Sequence, residues 1–210
     1  MASNVSVYVV AAICGNFWTE SGINSGVWEN LQVGTWTDLN KGFGLGQWTN
    51  TGGNTHGRLF NLNYWLNNNG YSDDSFYGQL DYIEVENVWF NRGEATKYGS
   101  LQGFINSTSR GIEDLTHAWN IGWEGIHDST WNQRVTQARN ILSYIQVNYD
   151  PTDTYTPVIN NTYLSAYDRY NNAMCMFDYW NGGTPSPDPP SPTPSSKKGM
   201  PLYMYLPHIL

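Results

Sequence analysis

The sequence predicts a mainly helical α+β domain, a helical lobe joined to a small loop-and-hairpin lobe. Three observations predict it. Apolar residues recur at three- and four-residue steps through most of the chain before Asp150, Ile23 to Asn54 is instead dense in Gly, Asn and Thr, and a proline-rich break begins at Gly182. At 210 residues and 23.8 kDa the chain is long enough for one unit with a substantial core and an appendage.

The elements follow in order. Val5, Tyr8, Val9, Ala12, Ile13 and Phe17 mark a core helix from Asn4, the expected N-cap, to Glu20, and Ser21-Gly22 stops it. The interval from Ile23 to Asn54 reads as loops and a short hairpin. Helical period then returns over Arg58 to Asn68, Gly78 to Phe90, a shorter piece near Tyr98 to Ser107, Ile112 to about Asn120, and Trp131 to Tyr149. Residues 1–150 are therefore expected as one domain. Residues 151–181, with Tyr163, Leu164, Tyr167 and Tyr170 at helical spacing, are expected as an accessory extension or short helix. Residues 182–196 are expected as a Pro/Ser-rich linker, and 197–210 as a short apolar tail, either a disordered end or a segment that docks on a partner or another copy.

Composition narrows the function. Charged residues are 13% and aromatics 15%, with ten Trp and fifteen Tyr, yet mean hydropathy is -0.51, so polarity comes from amides, hydroxyls and glycine. A net charge of -8 and a pI near 4.7 argue against nucleic acid and against adsorption to anionic lipid. No apolar run reaches the roughly 20 residues of a membrane span, and the N-terminus reads as lacking a signal peptide. Cys14 and Cys175 have no metal-ligand spacing and are expected free, so no metal and no organic cofactor is predicted. Flat rings beside neutral hydrogen-bonding groups suit an uncharged, polyhydroxylated ligand such as a glycan.

The best chemical logic lies in Gly15-Asn16-Phe17-Trp18-Thr19-Glu20-Ser21 followed by Gly42-Phe43-Gly44-Leu45-Gly46-Gln47-Trp48. Glu20 ends an apolar helix. Desolvation by neighbours such as Trp18 and the partial negative charge of the helix terminus both favour a protonated carboxyl, which is what cleavage of a glycosidic bond requires of its acid. Ser21 suits a capping or orienting role, because no His is placed to activate it. The glycine-rich stretch suits a tight hairpin that lets a ligand approach the backbone, with Gln47 as donor and acceptor and Trp48 as a stacking face. The second carboxylate is open: Glu29, Asp38, another residue, or none, the last of which would favour a transglycosylase. Asp73, Asp74, Asp81, Glu84 and Glu86 lack calcium-loop spacing and read as a solvated helix start and face. His117 and His127 read as structural. Trp119 and Trp123 either wall the cleft opposite Glu20 or pack in the core.

Glu20-Ser21 followed by Gly44-Leu45-Gly46-Gln47 resembles the paired motifs of goose-type lysozymes and lytic transglycosylases. The fuller string from Ala11 to Asn24, then Gly26-Val27-Trp28, then Gly42 to Thr49, is more specifically similar to the phage tail tip lysozymes. The resemblance is strong over residues 5–60. It implies a lysozyme-like fold and cleavage of the β-1,4 glycan strand of peptidoglycan, with Glu20 as catalytic acid and no cofactor. Eight residues separate Glu20 from Glu29, and five separate Glu29 from Thr35. That spacing matches a Glu, Asp and Thr set of phage-type lysozymes, with Glu in place of Asp. The alternatives are a lytic transglycosylase, a released endolysin and a non-catalytic wall-binding tail component. The implied location is the virion tail after synthesis in the host cytoplasm, acting on the host wall, with other tail proteins as partners through residues 197–210. Tethering to a particle would also bring an anionic protein to an anionic wall without electrostatic attraction.

Overall fold

A computed structural model describes residues 4–126 and 129–183; His127, the linker from residue 184 and the apolar tail lie outside the described residues. The fold is mainly helical, and its centre is α1, Val7–Glu20. Every residue from Val9 to Phe17 on α1 is buried, as expected of a helix apolar on all sides. Its N-cap is Ser6, whose hydroxyl accepts from the Tyr8 amide, rather than Asn4. Asn4 has a left-handed φ of 75° and stands outside the helix.

Beyond α1 the helices are α2 Arg58–Asn68, α3 Phe76–Glu86, α4 Leu101–Ile105, α5 Ile112–Gly122, α6 Trp131–Asn148 and α7 Ala166–Trp180. Two short 3-10 turns, Glu29–Leu31 and Gly93–Lys97, complete the set among the described residues. Three elements depart from the sequence reading. α3 begins two residues earlier, capped by Ser75, and stops at left-handed Asn87. The piece near Tyr98 divides into a 3-10 turn and α4, because the Ser100 side chain caps a new helix there. α7 starts after a capping box formed by Ser165 and Asp168, which leaves Tyr163 and Tyr167 exposed.

The closest helix crossing sets up the site. A Cβ on Gly15 would lie 2.7 Å from both the Ala138 Cβ and the Arg134 carbonyl, so only glycine lets α1 approach α6 this closely. α7 packs against α1 and α6, and its Met174, Cys175, Met176, Tyr179 and Trp180 join the same apolar cluster as α1. Cys14 and Cys175 are free and buried, and burial pushes the Cys14 thiol up.

The loop lobe holds isolated bridges rather than regular strands: Trp28 with Phe43, Phe43 with Trp48, and Leu39 with Asn50. Phe43 and Trp48 exchange both backbone hydrogen bonds around the Gly44 to Gln47 turn, so the expected hairpin is present in minimal form. Buried Gln79 of α3 anchors the turn by accepting from the Leu45 amide at 2.9 Å and donating to the Ser25 carbonyl at 2.9 Å.

The acidic run differs most from expectation. Glu86, with its side chain only 6% exposed, accepts from two Arg58 nitrogens at 2.7 and 2.8 Å and from the Trp48 indole at 3.2 Å. Asp81 accepts from the hydroxyls of Tyr71 and Tyr179, and Asp73 from the amides of Asn63 and Asn67. These carboxylates are not a solvated face. They satisfy donors that the packing of α2, α3 and α7 would otherwise strand.

Candidate active site

The end of α1 is turned by left-handed Gly22 and Ile23, with φ of 71° and 55°, and Ile23 is a β-branched residue in that strained region. The buried Ser21 hydroxyl donates to Leu45 O at 2.8 Å and lies 3.2 Å from Phe17 O. Ser21 therefore caps the helix and ties it to the hairpin. This fixes Glu20, the last helical residue, at the junction of the two lobes.

There Glu20 meets a cation. Its carboxylate, with the side chain 21% exposed, accepts from Arg134 Nη2 at 2.5 Å, while the Arg134 side chain is 2% exposed. Nη1 of the same guanidinium donates to Glu124 Oε2 at 2.9 Å and to Asn16 Oδ1 at 3.3 Å, and Nε donates to Thr130 Oγ1 at 3.0 Å. Asn16 stands one turn before Glu20 on the same face of α1, and its amide donates to Thr116 O of α5. The sequence points to Trp18 as the aromatic shield of Glu20. Trp18 turns instead towards α7, where Arg169 and Tyr170 pack against it.

Glu20 opens onto a cleft of about 390 Å³ between the lobes, lined also by Glu29, Asn40, Gly42, Gln47, Thr49 and Thr51. Two carboxylates thus share a cleft whose other side chains are neutral amides and hydroxyls. Glu29 is held at the rim by backbone pairing with Gly42, and its Oε2 accepts from the Gly42 amide at 3.1 Å. Asp38 does not line this cleft. Its carboxylate accepts from the Thr35 hydroxyl at 2.7 Å and the Thr35 amide at 2.9 Å, and these bonds hold it below the usual carboxylate range, with Lys41 adding to them.

Gln47, with φ of 48°, lines the cleft, but its Nε2 is committed to Gly44 O at 3.0 Å and Val27 O at 3.3 Å. Only its buried Oε1 has no partner among the described residues, so it offers an acceptor rather than a full amide. Trp48 presents no stacking face. It is 1% exposed and packs edge-on against Trp123 with ring centroids 5.4 Å apart. Trp119 and Trp123 are both fully buried, stacked on one another at 5.0 Å and edge-on to Phe17. His117 sits edge-on to Trp131 at 4.0 Å. Among the described residues no group of three or more His, Cys, Asp or Glu could hold a metal ion, and no helix is long and apolar enough to cross a membrane.

Sequence reasoning missed Arg134 and Glu124, and also Asn40, Thr49 and Thr51. For Arg134 a signal existed: it occupies the first place of the stripe Arg134, Ala138, Ile141, Ile145 that α6 buries, and a buried arginine needs acidic partners. The arrangement brings one carboxyl held by a guanidinium and a second carboxyl to the same cleft.

Comparisons with known proteins place the chain among phage proteins. A protein of Bacillus phage B103 named morphogenesis protein 1 is 36% identical over 134 residues, which cover 60% of this chain and 32% of that relative. The chain therefore spans less than half the length of the relative it matches. A family model described as phage tail lysozyme matches residues 1–145, from the start of the chain through α1, the hairpin and most of α6. With Glu20, the hairpin and Arg134 all inside the matched region, the chain belongs to the phage tail lysozyme family.

Proposed function

We propose that the chain is a tail-associated peptidoglycan hydrolase that cleaves the β-1,4 glycan strand of the bacterial wall during virion entry. The observation that carries this reading is the position of Glu20, on a rigid helix end and opening with Glu29 into one cleft of neutral hydrogen-bonding side chains. Glu20 donates a proton to the glycosidic oxygen as the bond breaks. Glu29 is the second carboxyl, acting on the far side of the sugar ring as base for water or as nucleophile; the anomer of the first-formed product distinguishes these roles. Asn40, Thr49 and Thr51 meet sugar hydroxyls and acetamido groups. The family match and the name of the phage relative support a virion role.

Glu20→Gln removes the proton donor while leaving Arg134 paired with Glu124, so fold and glycan binding are retained and turnover falls by a factor of at least about 100, within the usual contribution of a general acid. Clearing of purified walls by this variant at the wild-type rate overturns the assignment. Mass analysis of the products separates hydrolysis, which leaves reducing ends, from transglycosylation, which leaves 1,6-anhydro ends. Detection of the protein in washed virions tests the tail location against a released endolysin.

A further inference from the structure

A guanidinium is always charged. If Arg134 faced Glu20 alone, it would favour the ionised carboxylate, the wrong form for an acid that must supply a proton. It does not face Glu20 alone. The Glu124 side chain is 5% exposed against 21% for Glu20, and it takes the Nη1 edge of Arg134 while Glu20 takes Nη2. Asn120 donates to the same Glu124 Oε2 at 2.9 Å, which fixes the buried carboxylate from α5.

We infer that Glu124 is a positioning residue for the reaction: it holds Arg134 in place and offsets its charge, so that Glu20 stays aimed at the cleft yet can hold a proton. The inference rests on Glu20 being the acid of the proposed hydrolysis. Glu124 and Arg134 form the more deeply buried pair, with side chains 5% and 2% exposed. Glu20, at the cleft, is the member that exchanges protons with substrate and water. The other charged groups near Glu20 do not replace this pairing. Glu29 lies across the cleft on the loop lobe, and Arg169 of α7 is turned over the Trp18 ring with its Nε on the Leu164 carbonyl. Among the described residues, Asn16 and Thr130 accept from Arg134 and Asn120 donates to Glu124 as neutral hydrogen-bond partners.

The test is the pH dependence of glycan cleavage by Glu124→Gln, an isosteric change that keeps a hydrogen-bond acceptor but removes the charge. The alkaline limb, where the acid loses its proton, moves to lower pH by about one unit, and kcat at neutral pH falls several-fold with KM nearly unchanged. Glu124→Asp, which keeps the charge, retains the wild-type limb whatever its turnover. A Glu124→Gln limb coincident with wild type overturns the inference. Should that variant not fold, carboxyl-carbon NMR on the wild-type chain decides, because Glu124 must stay ionised throughout the pH range in which Glu20 titrates. Protonation of Glu124 before Glu20 overturns it equally. This spectroscopic readout does not depend on activity, so it remains decisive if the wild-type chain cleaves no glycan and the hydrolase reading itself fails.

Discussion

The Ser21 hydroxyl reaches the Leu45 carbonyl across 2.8 Å, joining the residue after the candidate acid to the tip of the hairpin that forms the opposite wall of the cleft. The same oxygen accepts from the Asn24 amide at 3.3 Å. Ser21→Ala strands a buried carbonyl and loosens the turn after Glu20. The expected loss is about 1–3 kcal/mol of stability, read as a lower urea midpoint at unchanged m-value, with a drop in kcat larger than any rise in KM.

Gly15→Ala places a methyl group against the Arg134 carbonyl and the Ala138 side chain, both at 2.7 Å. Backbone cannot yield as a flexible side chain can, so α1 and α6 must separate. A destabilisation of about 1–3 kcal/mol is expected, and the separation also lengthens the ion pair between Glu20 and Arg134. Thermal unfolding followed by circular dichroism measures the first effect. Wall-clearing assays at a temperature where the variant is fully folded measure the second.

Residues beyond Asp150 are expected to be needed for a stable domain. α7 brings Met174, Cys175, Met176, Tyr179 and Trp180 into the apolar cluster built on α1. Asn172 donates to both Ile23 O and Val158 O at 2.8 Å, stitching α7 to the turn after Glu20. Each large side chain lost from the core removes about 1.5–3 kcal/mol of burial, so Met174, Met176, Tyr179 and Trp180 together are comparable with the about 5–15 kcal/mol stability of a whole domain. A chain ending at Asp150 is expected to unfold without a cooperative transition by calorimetry. A sharp endotherm near that of the full chain would refute this.

Two phenols link alkaline pH to stability. Burial pushes Tyr179 up, reinforced by its 2.6 Å hydrogen bond to Asp81, and burial likewise pushes Tyr149 up, with Asp178 accepting from it at 2.7 Å. An unfolded tyrosine ionises near about pH 10. These two resist ionisation in the native protein, so their contribution is fully present below that pH and is lost as pH rises towards their raised native values. Tyrosinate absorbance from this pair is expected to appear together with loss of near-ultraviolet dichroism. Its appearance in a still-native protein near pH 10 would contradict the assignment.

Much of the helical frame was legible because it follows from side-chain period. α2 has the bounds that Leu59, Leu62 and Leu66 imply, and α6 ends one residue before its expected limit. Glu20 and the hairpin could be found because motif and helix end coincide. The rest depended on tertiary partners. Helix period could show that Arg134 shares a stripe with Ala138 and Ile141, but not that α1 brings Glu20 beside it. Trp48 and Trp123 have the side chains of a sugar platform, and only packing decides that they face one another. Glu86 likewise looks solvent-facing until Arg58 arrives from α2.

The aromatic residues alter how the molecule can be followed in solution. Of the ten tryptophans, four are buried and six half-buried, so none stands fully open to water. Trp48, Trp119 and Trp123 converge with Phe17 where the hairpin meets the helices, and a Cβ on Gly46 would come within 2.3 Å of the Trp123 ring. The hinge of the jaw is thus filled by indoles, leaving hydroxyl and amide groups along its biting edge. Intrinsic fluorescence will register the jaw coming apart, because Trp48, Trp119 and Trp123 lose their mutual packing together.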